Sequence, residues 1–454
     1  MFEMLKERSF YQRTLRILLP VAAQQLISIG VSTMDSVMIG SFGEVQMAAT
    51  SLANQIMTLF FFMFMGLGTG SSTLAAQFWG AKDEKSLRSV CAITMRIALC
   101  FGVCYSLLSL LCPGFLMRLF TNDAQIIEKG ISYYRIIGWC FPFHAMATAA
   151  TYQLRSTGHT RTSLLSSIGA FFINIFFNYM FIFGKFGAPR MEIAGAAVGT
   201  LIARIFEFTV ICGYLFFKDK NIGFRVKHMF LRNKVILKRF ISFSLPVMCS
   251  DTLLAIGLMT QGAIMGHMSP EIVAARSIVF VVSQFVTVFN GGLGTASGVV
   301  IGNTIGEHKP DRAYKEGVAF IVLAFAIGVV AMGVVGIIFP GFVNLYNVTD
   351  ATKDIARELF LCVVITMPLQ TLAYVTSKGI LRGAGDTKFI SVFDIILLWV
   401  VSLPLGALTG LVLGWRPFWF YFFLTFEFPG KGILCTIRFL SGKAIKDVTV
   451  KEEK

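Results

Sequence analysis

Few residues in this chain have a type and spacing suited to chemistry, and the first is an acid in an apolar place. Asp35 sits in "GVSTMDSVMIG", inside a stretch of roughly twenty mostly apolar residues that begins at Ile17. An ionised carboxylate at mid-membrane costs about 3 kcal/mol on insertion scales, so such a group tends to line a hydrated cavity and bind something. Its closeness to Gly40, near the end of the stretch, also allows plain solvation at the membrane edge. A second polar group lies in "FFINIFFNYMF", where Asn174 and Asn178 are four apart and share a helix face among aromatics. Amide oxygens are hard, neutral ligands. With a carboxylate they complete an oxygen cage for a small cation, or hydrogen-bond the acid and set its pKa. The same spacing also suits asparagines that tie neighbouring helices together.

Other charges within apolar stretches have a more local explanation. Arg204 and Glu207 are three apart and satisfy each other on one helix face. Asp251, five residues after Pro246, is the clear mid-span acid of the second half and a secondary candidate. Arg276, Asp394 and Glu427 are placed close enough to loops to be solvated or to snorkel. Nine cysteines lack any C-x-x-C and read as reduced packing residues, and the five histidines are dispersed. No zinc site, other structural metal site, cofactor motif or paired nucleophile and base can be read, which disfavours a membrane-embedded enzyme.

The elements that must position these residues are membrane helices. Of the 454 residues, 55% are hydrophobic and only 14% charged, and the mean hydropathy is +0.72. This places the chain among polytopic membrane proteins. About twelve spans recur, each long enough to cross a hydrocarbon core of roughly 30 Å. They fall near 17–39, 47–73, 90–111, 133–152, 163–183 and 194–217, then 240–265, 274–301, 318–339, 359–376, 389–412 and 418–439. The N-terminus has no signal-peptide cleavage site, so the first span is expected to be retained. The net charge of +15 is unevenly spread. About 29 of the 40 Lys and Arg residues fall on the side of the N-terminus, including 218–239 and the C-terminal tail. Both termini are therefore expected in the cytoplasm of a cell-membrane protein, and the charge points to no nucleic acid.

The spans form two copies of one unit. At an offset of about 226 residues, "LPVAAQQ" from Leu19 meets "LPVMCSD" from Leu245, "GLGTG" from Gly66 meets "GLGTA" from Gly292, and "LRSTGHTR" from Leu154 meets "LRGAGDTK" from Leu381. An even number of spans per copy makes these parallel repeats, an architecture that suits alternating access. The predicted organisation is an N-lobe over 1–217, a basic linker over 218–239, a C-lobe over 240–440 and a tail over 441–454. The copies are not chemically equal. Asp35 falls opposite Gln261, and the asparagine pair falls near Val401 and Leu405, so the acid and its amides belong to the first copy alone.

The series "LPVAAQQLISIGVSTMDSVMIGSFGEVQMAATSLANQ", "GLGTGSSTLAAQFWGAKD", "LRSTGHTR", "NYMFIFGKFGAPRMEIAGAAVGT" and "RFLSGKAIKDVT" resembles the multidrug and toxic compound extrusion (MATE) transporters over nearly the whole chain. The resemblance implies an all-α protein of twelve helices in two lobes. Such proteins act as monomers among membrane lipid and export cationic amphiphiles in exchange for protons or sodium ions. It further implies that Asp35 is the coupling acid and that Pro20 is associated with bending of the first helix. A cation site of some members uses an asparagine, an aspartate four residues later and a threonine, which fall here on Asn174, Asn178 and Thr200. The aspartate has become an asparagine, which weakens the case for sodium and favours protons. Leu254 and Thr371 stand where members that couple through the C-lobe carry acids. A flippase for lipid-linked oligosaccharides is the alternative within the same architecture, but it needs several cationic groups where this sequence offers mainly Arg204 and Arg276.

Overall fold

The computed structural model describes residues 3–344, 346 and 348–449. Among these the chain is helical, with no strand. The helices are α1 (Arg8–Gly40), α2 (Glu44–Gly80), α3 (Glu84–Leu111), α4 (Pro113–Arg118), α5 (Ala124–Ile137), α6 (Cys140–Ser156), α7 (Arg161–Phe183) and α8 (Ile193–Gly213), then α9 (Lys234–Met268), α10 (Pro270–Gly306), α11 (Pro310–Val343), α12 (Asp350–Tyr374), α13 (Leu381–Gly383), α14 (Thr387–Ile395), α15 (Leu403–Ala407), α16 (Pro417–Leu424) and α17 (Glu427–Leu440). Their ends follow the local chemistry. Asp83 and Asp123 accept hydrogen bonds from the first free backbone N–H groups of α3 and α5, and Ser269 and Thr349 do the same for α10 and α12.

Ten helical segments among the described residues are long and apolar enough to cross a membrane. The remaining two expected spans, the fourth and the twelfth, are each interrupted by a two-residue turn, at 138–139 between α5 and α6 and at 425–426 between α16 and α17. All nine cysteines are free, but Cys100, Cys104, Cys112 and Cys249 are exposed rather than packed, so only five fit the expected packing role.

The chain divides into two compact units. One comprises 23–75 and 83–241. In it α7 and α8 lie closely along one another, and a core of Ala49, Ala53, Ile56, Tyr134, Ile137 and Ala197 joins α2, α5 and α8. The basic segment 218–239 packs here on α3: Arg88 Nε donates to the Ile222 carbonyl (2.9 Å) and Arg96 to that of Leu231 (2.8 Å).

The other unit comprises 1–22, 76–82 and 242–454. Its main core runs through Phe10, Val21, Leu293, Ala296, Phe320, Ile380 and Phe439. The repeat is visible in one close crossing. A Cβ on Gly80 would lie 2.0 Å from the Asn303 carbonyl oxygen, and one on Gly306 would lie 2.0 Å from that of Gln77. These are equivalent positions of the two copies, and only glycine admits such backbone approach. Gln77, fully buried, donates to the carbonyls of Gly383 and Lys446 (3.2 Å each) and accepts from the Val448 N–H (2.9 Å), which fastens the C-terminal tail.

Candidate functional site

Asp35 and the asparagine pair, read separately from the sequence, meet in the structure. Asp35, Asn174, Asn178 and Thr200 all lie in the unit of 23–75 and 83–241. Asp35, near the end of α1, is half-buried, whereas Asn174 and Asn178 on α7 are 2% and 0% exposed. Asn178 Nδ2 donates to Asp35 Oδ1 across 2.5 Å and to Asn174 Oδ1 across 3.2 Å. Asn174 Nδ2 in turn donates to Thr200 Oγ1 on α8, at 3.4 Å. One chain of hydrogen bonds thus runs from α1 through α7 to α8.

Local sequence explains why the side chains fit. The four-residue spacing stacks Asn174 over Asn178 on the face of α7 turned inward, while Phe172, Phe176 and Tyr179 are exposed on the other side. Opposite Asn178, α8 carries Gly199, where a Cβ would fall 2.1 Å from Asn178 Oδ1. The absent side chain makes room for the amide. Asn178 Oδ1 is buried with no hydrogen-bond partner among the described residues, so the amide presents its N–H to the acid and keeps an unused acceptor behind it. Arg204 and Glu207 pair at 2.6 Å on α8, as their spacing requires.

Further down the same helix, α1 is tied by a second polar network: the Arg155 guanidinium donates to Gln24 Oε1 (2.6 Å), and Gln24 Nε2 donates to Ser167 Oγ (3.2 Å). Pro20 is inside α1, which continues as helix on both sides of it. In the second copy the position opposite Asp35 is spent differently, since Gln261, 3% exposed, donates to the Leu424 carbonyl at 3.0 Å.

Asp251 does not join the first site. It lies in the other unit, fully buried, and receives two hydrogen bonds from Arg382 (2.9 and 2.7 Å) and one from Lys378. The placement of Asp394 and Glu427 near loops is corrected: they are 3% and 0% exposed and share Lys431, at 3.0 and 3.1 Å. Sequence reasoning missed the partners Lys378, Arg382 and Lys431. The "LRSTG" and "LRGAG" repeats could have found one, since they place Arg155 and Arg382 at corresponding positions.

Comparison with known proteins agrees with the geometry. The family model MatE matches residues 20–180 and 246–408, one match for each copy of the repeat. Relatives include the uncharacterized transporter YisQ of Bacillus subtilis, 22% identical with 87% of this chain and 86% of that one covered. The probable multidrug resistance protein YoeA of Bacillus subtilis is 26% identical over 79% and 78%, and the multidrug resistance protein PmpM of Pseudomonas aeruginosa 24% identical over 90% and 85%. Among solved structures, the outward-facing conformation of a MATE family transporter of the MOP superfamily superimposes with a TM-score of 0.85 at 19% identity, covering 95% of this chain and 96% of that one. With the family model matched over most of its length, the chain belongs to the multidrug and toxic compound extrusion family of membrane transporters.

Proposed function

We propose that the protein exports cationic amphiphilic compounds in exchange for protons or sodium ions by alternating access, with Asp35 as the coupling acid and Asn174, Asn178 and Thr200 as its partners. The hydrogen bond from Asn178 to Asp35 carries this reading. A half-buried carboxylate held by an amide, and by no basic side chain at hydrogen-bond distance among the described residues, is an anionic site open to an incoming cation. The names of the relatives as multidrug resistance proteins support small-molecule cargo. The architecture is two lobes, 1–217 and 240–440, joined by the basic linker 218–239 and followed by a tail over 441–454. The protein works as a monomer surrounded by lipid in the cell membrane, with both termini in the cytoplasm.

Coupling follows from competition. A proton or metal ion neutralises Asp35, the attraction for a cationic drug falls, and drug leaves on the side from which the ion came. The two states must differ in their affinity for each partner, since a ligand that binds both equally shifts neither. Asn178 favours the proton. Its N–H groups suit an ionised Asp35, and when Asp35 carries a proton a half-turn of the amide brings the idle Oδ1 round to accept it. A sodium ion at Asp35 would have to displace that N–H before Asn178 could offer it an oxygen. Pro20 lacks the backbone N–H of a continuous helix and lets α1 bend as Asp35 changes charge.

The flippase reading is less well supported, because Arg204, Lys378, Arg382 and Lys431 are each paired with an acid. The test is ethidium binding to purified protein, followed by fluorescence. Acidification is expected to displace ethidium from the wild type, and Asp35→Asn to bind weakly at every pH. Equal, pH-dependent binding by both would sink the proposal.

A further inference from the structure

The second half contains a buried array of six charges that the mechanism above does not use. It runs in one line of alternating sign: Arg382, Asp251, Lys378, Asp394, Lys431, Glu427. Arg382 grips Asp251 with two nitrogens (2.9 and 2.7 Å). Lys378 Nζ bonds Asp251 and lies 4.0 Å from Asp394 Oδ2. Lys431 Nζ lies 3.0 Å from Asp394 Oδ1 and 3.1 Å from Glu427 Oε2. These groups come from α9, α13, α14 and α17 and from the π-helical turn Val375–Ile380, so the line ties separate helices. Three acids and three bases leave a net charge of zero.

Stability alone does not explain it, because well-packed apolar residues of similar volume serve at least as well as buried ion pairs. The middle of the line is informative. Lys378 stands between two carboxylates, and its side chain is 11% exposed against 5% or less for the other five. It alone has both a choice of acids and access. It also sits on a π-helical turn, a distortion that recurs in this chain and is frequent at functional sites. A lysine ammonium is a compact point charge on a flexible stem, the nearest a side chain comes to a hydrated monovalent ion.

We infer that the second half holds a cation site filled from within: the Lys378 ammonium occupies, between Asp251 and Asp394, the place of a diffusible monovalent cation. Glu427 Oε1, buried and without a hydrogen-bond partner among the described residues, leaves acceptor capacity at the end of the line. The consequence, which rests on the reading of Asp35 above, is that this half takes up no ion of its own and Asp35 alone couples. The line also joins the helices of this half without needing an ion to hold them.

The test vacates the site in a chain whose first site is already neutral. Full-length Asp35→Asn, and the same chain with Lys378→Ala, Lys378→Gln or Lys378→Arg, are purified in detergent at alkaline pH. Thermal unfolding is followed as sodium chloride replaces N-methylglucamine chloride at constant ionic strength. Removing Lys378 leaves one uncompensated negative charge, and an ion that binds only the folded state raises the unfolding temperature. Lys378→Ala and Lys378→Gln are expected to gain a saturable rise with sodium that Asp35→Asn and Lys378→Arg lack. The inference is overturned if the two neutral variants show no sodium dependence, if Lys378→Arg shows the same dependence, or if the neutral variants fold in neither salt. Because Asp35 is absent throughout, none of these outcomes bears on the coupling role of Asp35.

Discussion

Asn178 on α7 donates its amide N–H to the carboxylate of Asp35 on α1 at 2.5 Å. Hydrogen bonds to ionised groups are the stronger class, contributing about 1.5–3 kcal/mol each. This bond is the point at which a change of charge on Asp35 is felt by a second helix, and several expectations follow from its chemistry.

Asn178→Ala removes the donor and leaves Asp35 without its amide. Ethidium transport in proteoliposomes is expected to fall by roughly tenfold, the equivalent of about 1.4 kcal/mol, with the protein still monodisperse on gel filtration. Asn178→Asp instead places a second carboxylate beside Asp35. Two acids repel unless a cation lies between them, so this variant is expected to acquire transport driven by a sodium gradient. Transport that ignores both substitutions contradicts the assignment.

Gly199→Ala tests the room made for the amide. The new Cβ would meet Asn178 Oδ1 at 2.1 Å, and both helices must shift or the amide must turn. Overpacking of this kind costs about 1–3 kcal/mol. The variant is expected to unfold at lower temperature and to lose transport together with Asn178→Ala rather than additively with it, which a double-mutant cycle reads directly.

How much of this was legible beforehand depends on what kind of signal each feature leaves. The spans, the repeat and the lone acid were readable because apolar length and unequal halves are properties of sequence. Pairing of Asn174 with Asn178 followed from helical period, but their meeting with Asp35, roughly 140 positions away in the chain, needed the packing of α1 on α7. The buried line from Arg382 to Glu427 was not legible. Asp251 stood out as a mid-span acid but without its partners, Asp394 and Glu427 look like loop-end charges one by one, and only tertiary packing turns these two into buried partners of Lys431. The interruptions at 138–139 and 425–426 escaped for a related reason: a sliding apolar window averages over a two-residue turn.

Asp386 is 1% exposed and joins Arg438 (2.9 Å) to Lys446 (2.5 Å), and so holds the tail against α17. Both basic partners are partly solvated, which reduces the value of the pairs. Asp386→Ala is expected to cost about 1–2 kcal/mol and to speed proteolytic removal of the tail. A tail equally protected in the variant would show that Gln77 suffices.

Asp447 gives the tail a pH dependence. Burial works against its charge, but hydrogen bonds from Thr449 and His308 outweigh that effect and hold the carboxyl below its ordinary range. A group whose pKa is lower in the folded chain stabilises it above the unfolded value and stops doing so as the pH falls through the folded one. The unfolding temperature of the wild type should therefore exceed that of Asp447→Asn at neutral pH, with the two converging in acid. A gap that widens in acid would reverse the sign and refute the account.

The central claim is that Asp35 carries the coupling ion, with the proton favoured by the amide beside it. Ethidium flux is measured in proteoliposomes of wild type and Asp35→Asn, under an imposed pH gradient and, separately, under a sodium gradient at equal pH on both sides. The account predicts transport by the wild type under the pH gradient, little under sodium alone, and none by Asp35→Asn under either. Undiminished flux through Asp35→Asn under either gradient would contradict it.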